Sequence, residues 1–341
     1  MSDNLPANHP PVAKPKIGVL LLNLGTPEAT DYWSVRRYLK EFLSDPRVIE
    51  TPRLLWWLIL NIVILSFRPQ KSGHAYAQIW DKEKNESPLR VITRQQSDAL
   101  AQRLGGEENV VVDFAMRYGN PSTEAQLKAL QQAGCQKILL VPLYPQYSAT
   151  TTATANDKAF EVLGKMRWQP AVRTAPAYFD DPKYVETLAR SIEEGVAKLD
   201  FVPDLVVTSY HGMPVEYLER GDPYHCQCLK TTRLVREHLG WDKGRLMVTF
   251  QSRFGRAKWL EPYTDVTLAA LPGRGIKKIA ILAPAFSADC IETLEEIAMQ
   301  GKETFMHAGG EQFAYIPCLN DSPGGMDMIE SIVRRELSGW L

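Results

Sequence analysis

The 341-residue sequence has no surplus of charge of either sign: 39 Lys and Arg stand against 40 Asp and Glu, a formal net charge of −1. Binding along a phosphate backbone needs a basic excess, so nucleic acid is excluded as a partner. Cysteine is scarce, with five scattered as Cys135, Cys226, Cys228, Cys290 and Cys318. That odd, dispersed set is no secretory disulfide framework, and Cys226-x-Cys228 without a second nearby pair reads as ordinary loop cysteines. The N-terminal MSDNLPANHPPVAKPK is polar and proline-rich, without the apolar core of a secretory signal, so a reducing cytoplasm is the expected compartment. Neither a P-loop nor G-x-G-x-x-G follows any strand-like run, so the usual phosphate cradles are missing and nucleotide binding is set aside. The apolar run Leu54–Leu65, LLWWLILNIVIL, falls short of the about 20 residues that a spanning helix needs. Two readings of it stay open: a buried core helix, or a lip at a membrane interface formed by Leu54, Trp56 and Trp57, with basic flanks at Arg53 and Arg68.

What is present is an ordinary globular composition, 45% hydrophobic and 23% charged, in a chain long enough for two cores. Residues 1–15 read as a flexible tail. Strands are expected at Lys16–Leu24, Val110–Met116, Lys137–Leu143, Ala171–Ala177, Asp204–Tyr210, Leu246–Gln251, Lys278–Ala283 and Phe313–Pro317. Amphipathic helical runs lie between them, at Gln95–Leu104, Glu124–Gln132, Tyr184–Leu199, Leu229–Leu239 and Ile291–Phe305. Alternation of this kind predicts an α/β fold of parallel sheets with helices on both faces.

Three landmarks recur in order. Gly25-Thr26-Pro27 answers to Gly212-Met213-Pro214, and Phe114-Ala-Met-Arg117-Tyr118-Gly119 to Phe250-Gln-Ser-Arg253-Phe254-Gly255. Lys137-Ile138 leading to Pro142-Leu143-Tyr144 answers to Lys278-Ile279 leading to Pro284-Ala285-Phe286. The repeat predicts an internal duplication of a doubly wound, Rossmann-like unit with a cleft between the copies. The units are placed at 16–155 and 156–320, followed by a C-terminal segment, 321–341, whose helix Met326–Leu337 packs back across them. The first copy is about fifty residues longer between its first two landmarks, and that insertion carries Leu54–Leu65.

Ligands of open α/β sheets bind beyond the carboxyl ends of the strands. His211, in Ser209-Tyr210-His211-Gly212-Met213-Pro214, stands at such an end, and a neutral imidazole there can accept a proton or ligate a metal. Glu292 and Glu296 are four apart at a strand-to-helix junction and share one helix face.

These residues resemble the ferrochelatase family from about Lys16 to Leu337. The matching motifs are Asn23-Leu-Gly-Thr-Pro27, Ser87-Pro88, Met116-Arg117-Tyr118, Tyr144-Pro-Gln-Tyr147-Ser148, Ser209-Tyr-His211-Gly-Met-Pro214, Arg220-Gly-Asp-Pro-Tyr224, Trp259-Leu260 and Asp289-Cys-Ile-Glu292-Thr-Leu. The arrangement is similar to the proteobacterial branch, which lacks a cysteine-rich C-terminal extension. The resemblance implies insertion of ferrous iron into protoporphyrin IX, with His211 and Glu292 as the catalytic pair and Glu296 joining them at the metal. It places Tyr144, Tyr224, Trp259 and Phe286 on the macrocycle and Ser87, Arg117 and Tyr118 along its pocket. Many relatives have histidine where this chain has Cys290. No tightly bound cofactor and no [2Fe–2S] cluster are expected, iron being a substrate, and peripheral contact with the inner membrane is expected at the lip. Coproporphyrin or a sirohydrochlorin-type ring as substrate, and a porphyrin or haem carrier without turnover, stay open at this point.

Overall fold

The computed structural model describes residues 6, 8, 9, 15–106, 109–255 and 257–341; most of the expected 1–15 tail lies outside them. Among the described residues, eight strands form two parallel sheets of four. The first contains β1 (Lys16–Gly25), β2 (Val110–Tyr118), β3 (Cys135–Pro142) and β4 (Ala171–Thr174), in the order β2-β1-β3-β4. The second contains β5 (Leu205–His211), β6 (Leu246–Gln251), β7 (Lys278–Leu282) and β8 (Gln312–Tyr315), in the order β6-β5-β7-β8. The two orders are identical once corresponding strands are matched, as a duplicated unit requires.

Central parallel strands are covered on both faces, so they read as continuous apolar runs whose alternate residues enter different cores. In β1, Val19 and Leu21 enter one core and Leu20 and Leu22 another. In β7, Ala280 and Leu282 share the core of Val19 and Leu21, while Ile279 and Ile281 face a third. One apolar core therefore joins the facing sides of both sheets. Residues of the helices Pro182–Ala197 and Pro323–Glu336 lie in it, including Leu188, Ile192, Ile329, Ile332 and Val333. The C-terminal helix also meets the end of helix Pro88–Arg103, where Arg103 pairs with Asp327 and Glu330 at 2.6 and 3.1 Å.

A division at 155/156 needs correcting. β4 hydrogen-bonds to β3 from Lys137↔Ala171 to Leu140↔Thr174, and Ala155, Ala159, Val162 and Leu163 pack on the outer side of the first sheet. The first unit thus runs on to Thr174, because its last strand must cross over a helix before it can lie parallel to β3. β4 also stops short of the expected Ala177, since its pairing with β3 ends there.

The insertion forms one helical run: Arg53–Leu58, a π-helical stretch Ile59–Ile64, and Leu65–Ile79. Its inner side carries Trp56, Leu60, Ile64 and Leu65 against Val35, Tyr38, Leu39 and Leu43. Among the described residues no helix is long and apolar enough to cross a membrane.

Candidate functional site

His211 is the last residue of β5 and lies beside Gln251, the last of β6. The turn that follows depends on Gly212: its amide donates to the Gln251 carbonyl at 2.6 Å, and a Cβ there would lie 2.5 Å from that oxygen. The chain then pairs with the segment around Trp259, through Val215 N to Lys258 O at 2.8 Å and Leu260 N to Met213 O at 2.9 Å. This brings the Trp259 indole against Gly212. The indole N–H donates to the Phe254 carbonyl at 2.9 Å, and the two rings lie 4.8 Å apart. Across from them, the Arg68 guanidinium of the inserted helix sits 6.0 Å from the Phe254 ring.

The half-buried His211 ring has Nδ1 2.7 Å from the Gly212 carbonyl. A carbonyl can only accept, so Nδ1 carries the proton and, in the neutral ring, Nε2 keeps its lone pair for a proton or a metal ion.

The two glutamates come from the run after β7. Cys290 caps it, with Thr293 Oγ1 accepting from the Cys290 amide at 2.9 Å and donating to Asp289 Oδ1 at 2.9 Å. A short α-turn, Ile291–Thr293, passes into a π-helix, Leu294–Gly301. Gln251 Nε2 lies 2.7 Å from the Glu292 carbonyl and 3.5 Å from Glu296 Oε2. Ser252 Oγ donates a short hydrogen bond to Glu296 Oε2. Burial pushes the Glu296 carboxyl up to about 7, with the Glu292 charge adding to the rise and Ser252 opposing it. On the other side, burial and then the charge of Glu292 raise the Tyr76 hydroxyl well above its ordinary range. Tyr38 feels the same carboxylate after burial and Tyr76. Glu292 therefore stands where the second unit meets the two first-unit helices that carry Tyr38 and Tyr76.

The structure gathers His211, Trp259, Glu292 and Glu296 around the end of β6. Phe286 joins Leu24, Leu89, Ile92, Ala288 and Cys290 in a small apolar cluster between the units. The other expected residues are held by their own neighbours. Ser87 is buried and caps helix Pro88–Arg103. Arg117 pairs with Asp45 and donates to Thr154 Oγ1 at 2.7 Å, and Tyr118 is fully buried with its hydroxyl 2.8 Å from Asp45 Oδ2. Tyr144 and Tyr224 are buried in separate clusters, the first with Leu20 and Leu140, the second with Tyr210 and Phe250. Trp57 and Leu54 are exposed, but Trp56 turns inward and donates to the Leu43 carbonyl at 2.6 Å. Of the three residues expected at a lip, Leu54 and Trp57 are exposed and Trp56 is not. Among the described residues no group of three or more His, Cys, Asp and Glu is placed to hold a metal ion together, so His211, Glu292 and Glu296 do not form a closed coordination cage.

Sequence reasoning passed over Gln251 and Ser252, although both lie inside the repeated F-x-x-R landmark. Ser252 also adopts a left-handed conformation, with φ of 62°.

A family model for ferrochelatase matches residues 16–337. The chain is 60% identical over 339 residues to a ferrochelatase of Allorhizobium ampelinum, covering 99% of this chain and 98% of that one. It is 60% identical over 333 residues to a ferrochelatase of Rhizobium meliloti, covering 98% of each. Among solved structures it superposes on SirB of Bacillus subtilis, solved with Fe3+, with a TM-score of 0.54 over 95% of this chain and 98% of that one. At 12% identity that likeness shows the shared fold alone. Two sheets of one topology and a match of this extent and identity agree: the chain belongs to the ferrochelatase family.

Proposed function

We propose that this ferrochelatase, a metal chelatase, inserts ferrous iron into protoporphyrin IX to form protohaem, with His211 and Glu292 as the insertion pair. The observation that carries this reading is the His211 ring: its Nδ1 proton is committed to Gly212, its Nε2 lone pair is left available, and Gln251 ties its strand to Glu292. Metallation exchanges two pyrrole protons for one divalent ion, so the site needs a base and an acceptor that carries protons onward. Nε2 of His211 supplies the base. Glu292 and Glu296 lie along one helix, and a carboxyl poised near neutrality, as Glu296 is, can take and release a proton at working pH. The same oxygens suit an incoming ferrous ion on its way to the four nitrogens.

Trp259 and Phe286 supply apolar walls near this line, and Ser87, Arg117, Tyr118, Tyr144 and Tyr224 shape the surrounding pocket. The reading includes no tightly bound cofactor and no [2Fe–2S] cluster. It also places the chain in the cytoplasm, with Leu54 and Trp57 in peripheral contact with the inner membrane.

The test is anaerobic incubation with ferrous iron and free-base protoporphyrin IX, followed by the loss of porphyrin fluorescence. His211→Ala and Glu292→Gln should each abolish turnover while leaving porphyrin affinity within about a factor of three, since they serve metal and protons rather than the macrocycle's face. Near-normal turnover in either variant would overturn the pair.

A further inference from the structure

The strand end bearing His211 and the helix bearing Glu292 are separate elements, and insertion needs their spacing held. Gln251 touches both. Its backbone carbonyl holds the Gly212 amide at 2.6 Å, directly after His211, and its side-chain nitrogen holds the Glu292 carbonyl at 2.7 Å. The orientation of this amide follows from chemistry. A backbone carbonyl can only accept, so the nitrogen must face Glu292, and the oxygen then faces Ser209 Oγ, which donates to it at 2.7 Å. Ser209 Oγ also lies 2.9 Å from Thr264 Oγ1, whose single proton serves either Ser209 or Thr249, the latter also 2.9 Å away. Thr249 in turn donates to the Thr208 carbonyl at 3.2 Å. Gln251, Ser209, Thr249 and Thr264 are all buried, so breaking a link strands polar groups without water to replace it.

We propose that Gln251 is a positioning residue for metal insertion, setting the separation of His211 and Glu292 and itself held in one orientation by Ser209. Gln251 supplies neither base nor ligand to this step. The inference rests on the reading of His211 and Glu292 as the insertion pair.

Three variants test it under the anaerobic assay: Gln251→Leu, which keeps the bulk and the backbone bond to Gly212 but removes the side-chain bonds to Ser209, Glu292 and Glu296; Ser209→Ala, which removes only the brace; and the double variant. Gln251→Leu should lower kcat by about 10- to 100-fold, the range that a misplacement of about 1 Å produces, with porphyrin affinity by fluorescence quenching changed less than about twofold. Ser209→Ala should lower kcat several-fold, and the double variant should be no worse than Gln251→Leu, because Ser209 acts through Gln251. Parental kcat in Gln251→Leu, or an additive double variant, would overturn the positioning role while inactive His211→Ala and Glu292→Gln leave the pair intact. Turnover in those two controls would instead remove the pair itself. Should Gln251→Leu fail to fold, Ser209→Ala decides alone, and an unchanged kcat there counts against the role.

Discussion

Gly25 and Gly212 occupy the same place in the two copies, each at the point where the first strand of its sheet meets the last carbonyl of its neighbour. A Cβ on Gly25 would lie 1.8 Å from the Tyr118 oxygen, as one on Gly212 would crowd that of Gln251. The repeated glycine therefore marks a close approach of backbones, and only in the second copy is it preceded by a histidine. Glu296 is the residue in this region whose environment sets a measurable pH response. Its folded-state pKa of about 7 lies above the ordinary 4.5, so between those values the folded chain holds more protons than the unfolded one. Stability from this group is then fully present below about pH 4.5 and falls as pH rises through 7. Glu296→Gln should be more stable relative to the parent at pH 8 than at pH 5, by up to about 3 kcal/mol, since each tenfold change in proton affinity is worth about 1.4 kcal/mol. Melting curves at the two pH values check this, and an equal difference at both would show that the carboxyl is not held near neutrality.

At the scale of elements, the inserted run from Arg53 to Ile79 has two faces. The outward one shows Leu54 at 79%, Trp57 at 58%, Ile62 at 63% and Phe67 at 76% exposure, an apolar surface that a free monomer ordinarily avoids. Trp56, Leu60 and Leu65 face the protein instead. Two adjacent tryptophans thus stand differently: Trp56 donates to the Leu43 carbonyl, whereas Trp57 is exposed, as the proposed membrane contact requires. Replacing Leu54, Trp57 and Phe67 together by serine should weaken binding to anionic vesicles about tenfold or more and raise KM for porphyrin, with little effect on the iron dependence. The melting temperature should hold, because the inward face is untouched. Unchanged vesicle binding would leave the exposed face without a membrane role.

For the whole molecule, the deciding feature is that the two sheets share one core. Val19, Leu21 and Leu139 from the first, Val206, Ala280 and Leu282 from the second, and Ile329, Ile332 and Val333 of the C-terminal helix belong to a single cluster. The copies are therefore expected to unfold together although each has its own sheet. Ile332→Ala should cost about 2–5 kcal/mol, and hydrogen exchange in β1 and β7 should speed up in step. Faster exchange confined to one sheet would mean that the copies are independent.

The alternation of β-branched and amphipathic runs, the three ordered landmarks and the family motifs were all legible along the chain, because each is a property of residues near one another in sequence. His211 stands out at the carboxyl end of a recognisable strand, and Glu292 stands out with Glu296, four residues on, at a strand-to-helix junction. What the sequence left undecided depends on which surfaces approach each other. That β4 closes the first sheet follows from its hydrogen bonds to β3, and that Trp56 points in while Trp57 points out follows from where Leu43 lies. Gln251 looked like one more polar residue at a strand end. Its place between Gly212, Ser209 and the Glu292 carbonyl exists only because β5, β6 and the helix after β7 converge, and buried polar partners are chosen by that convergence rather than by any local pattern.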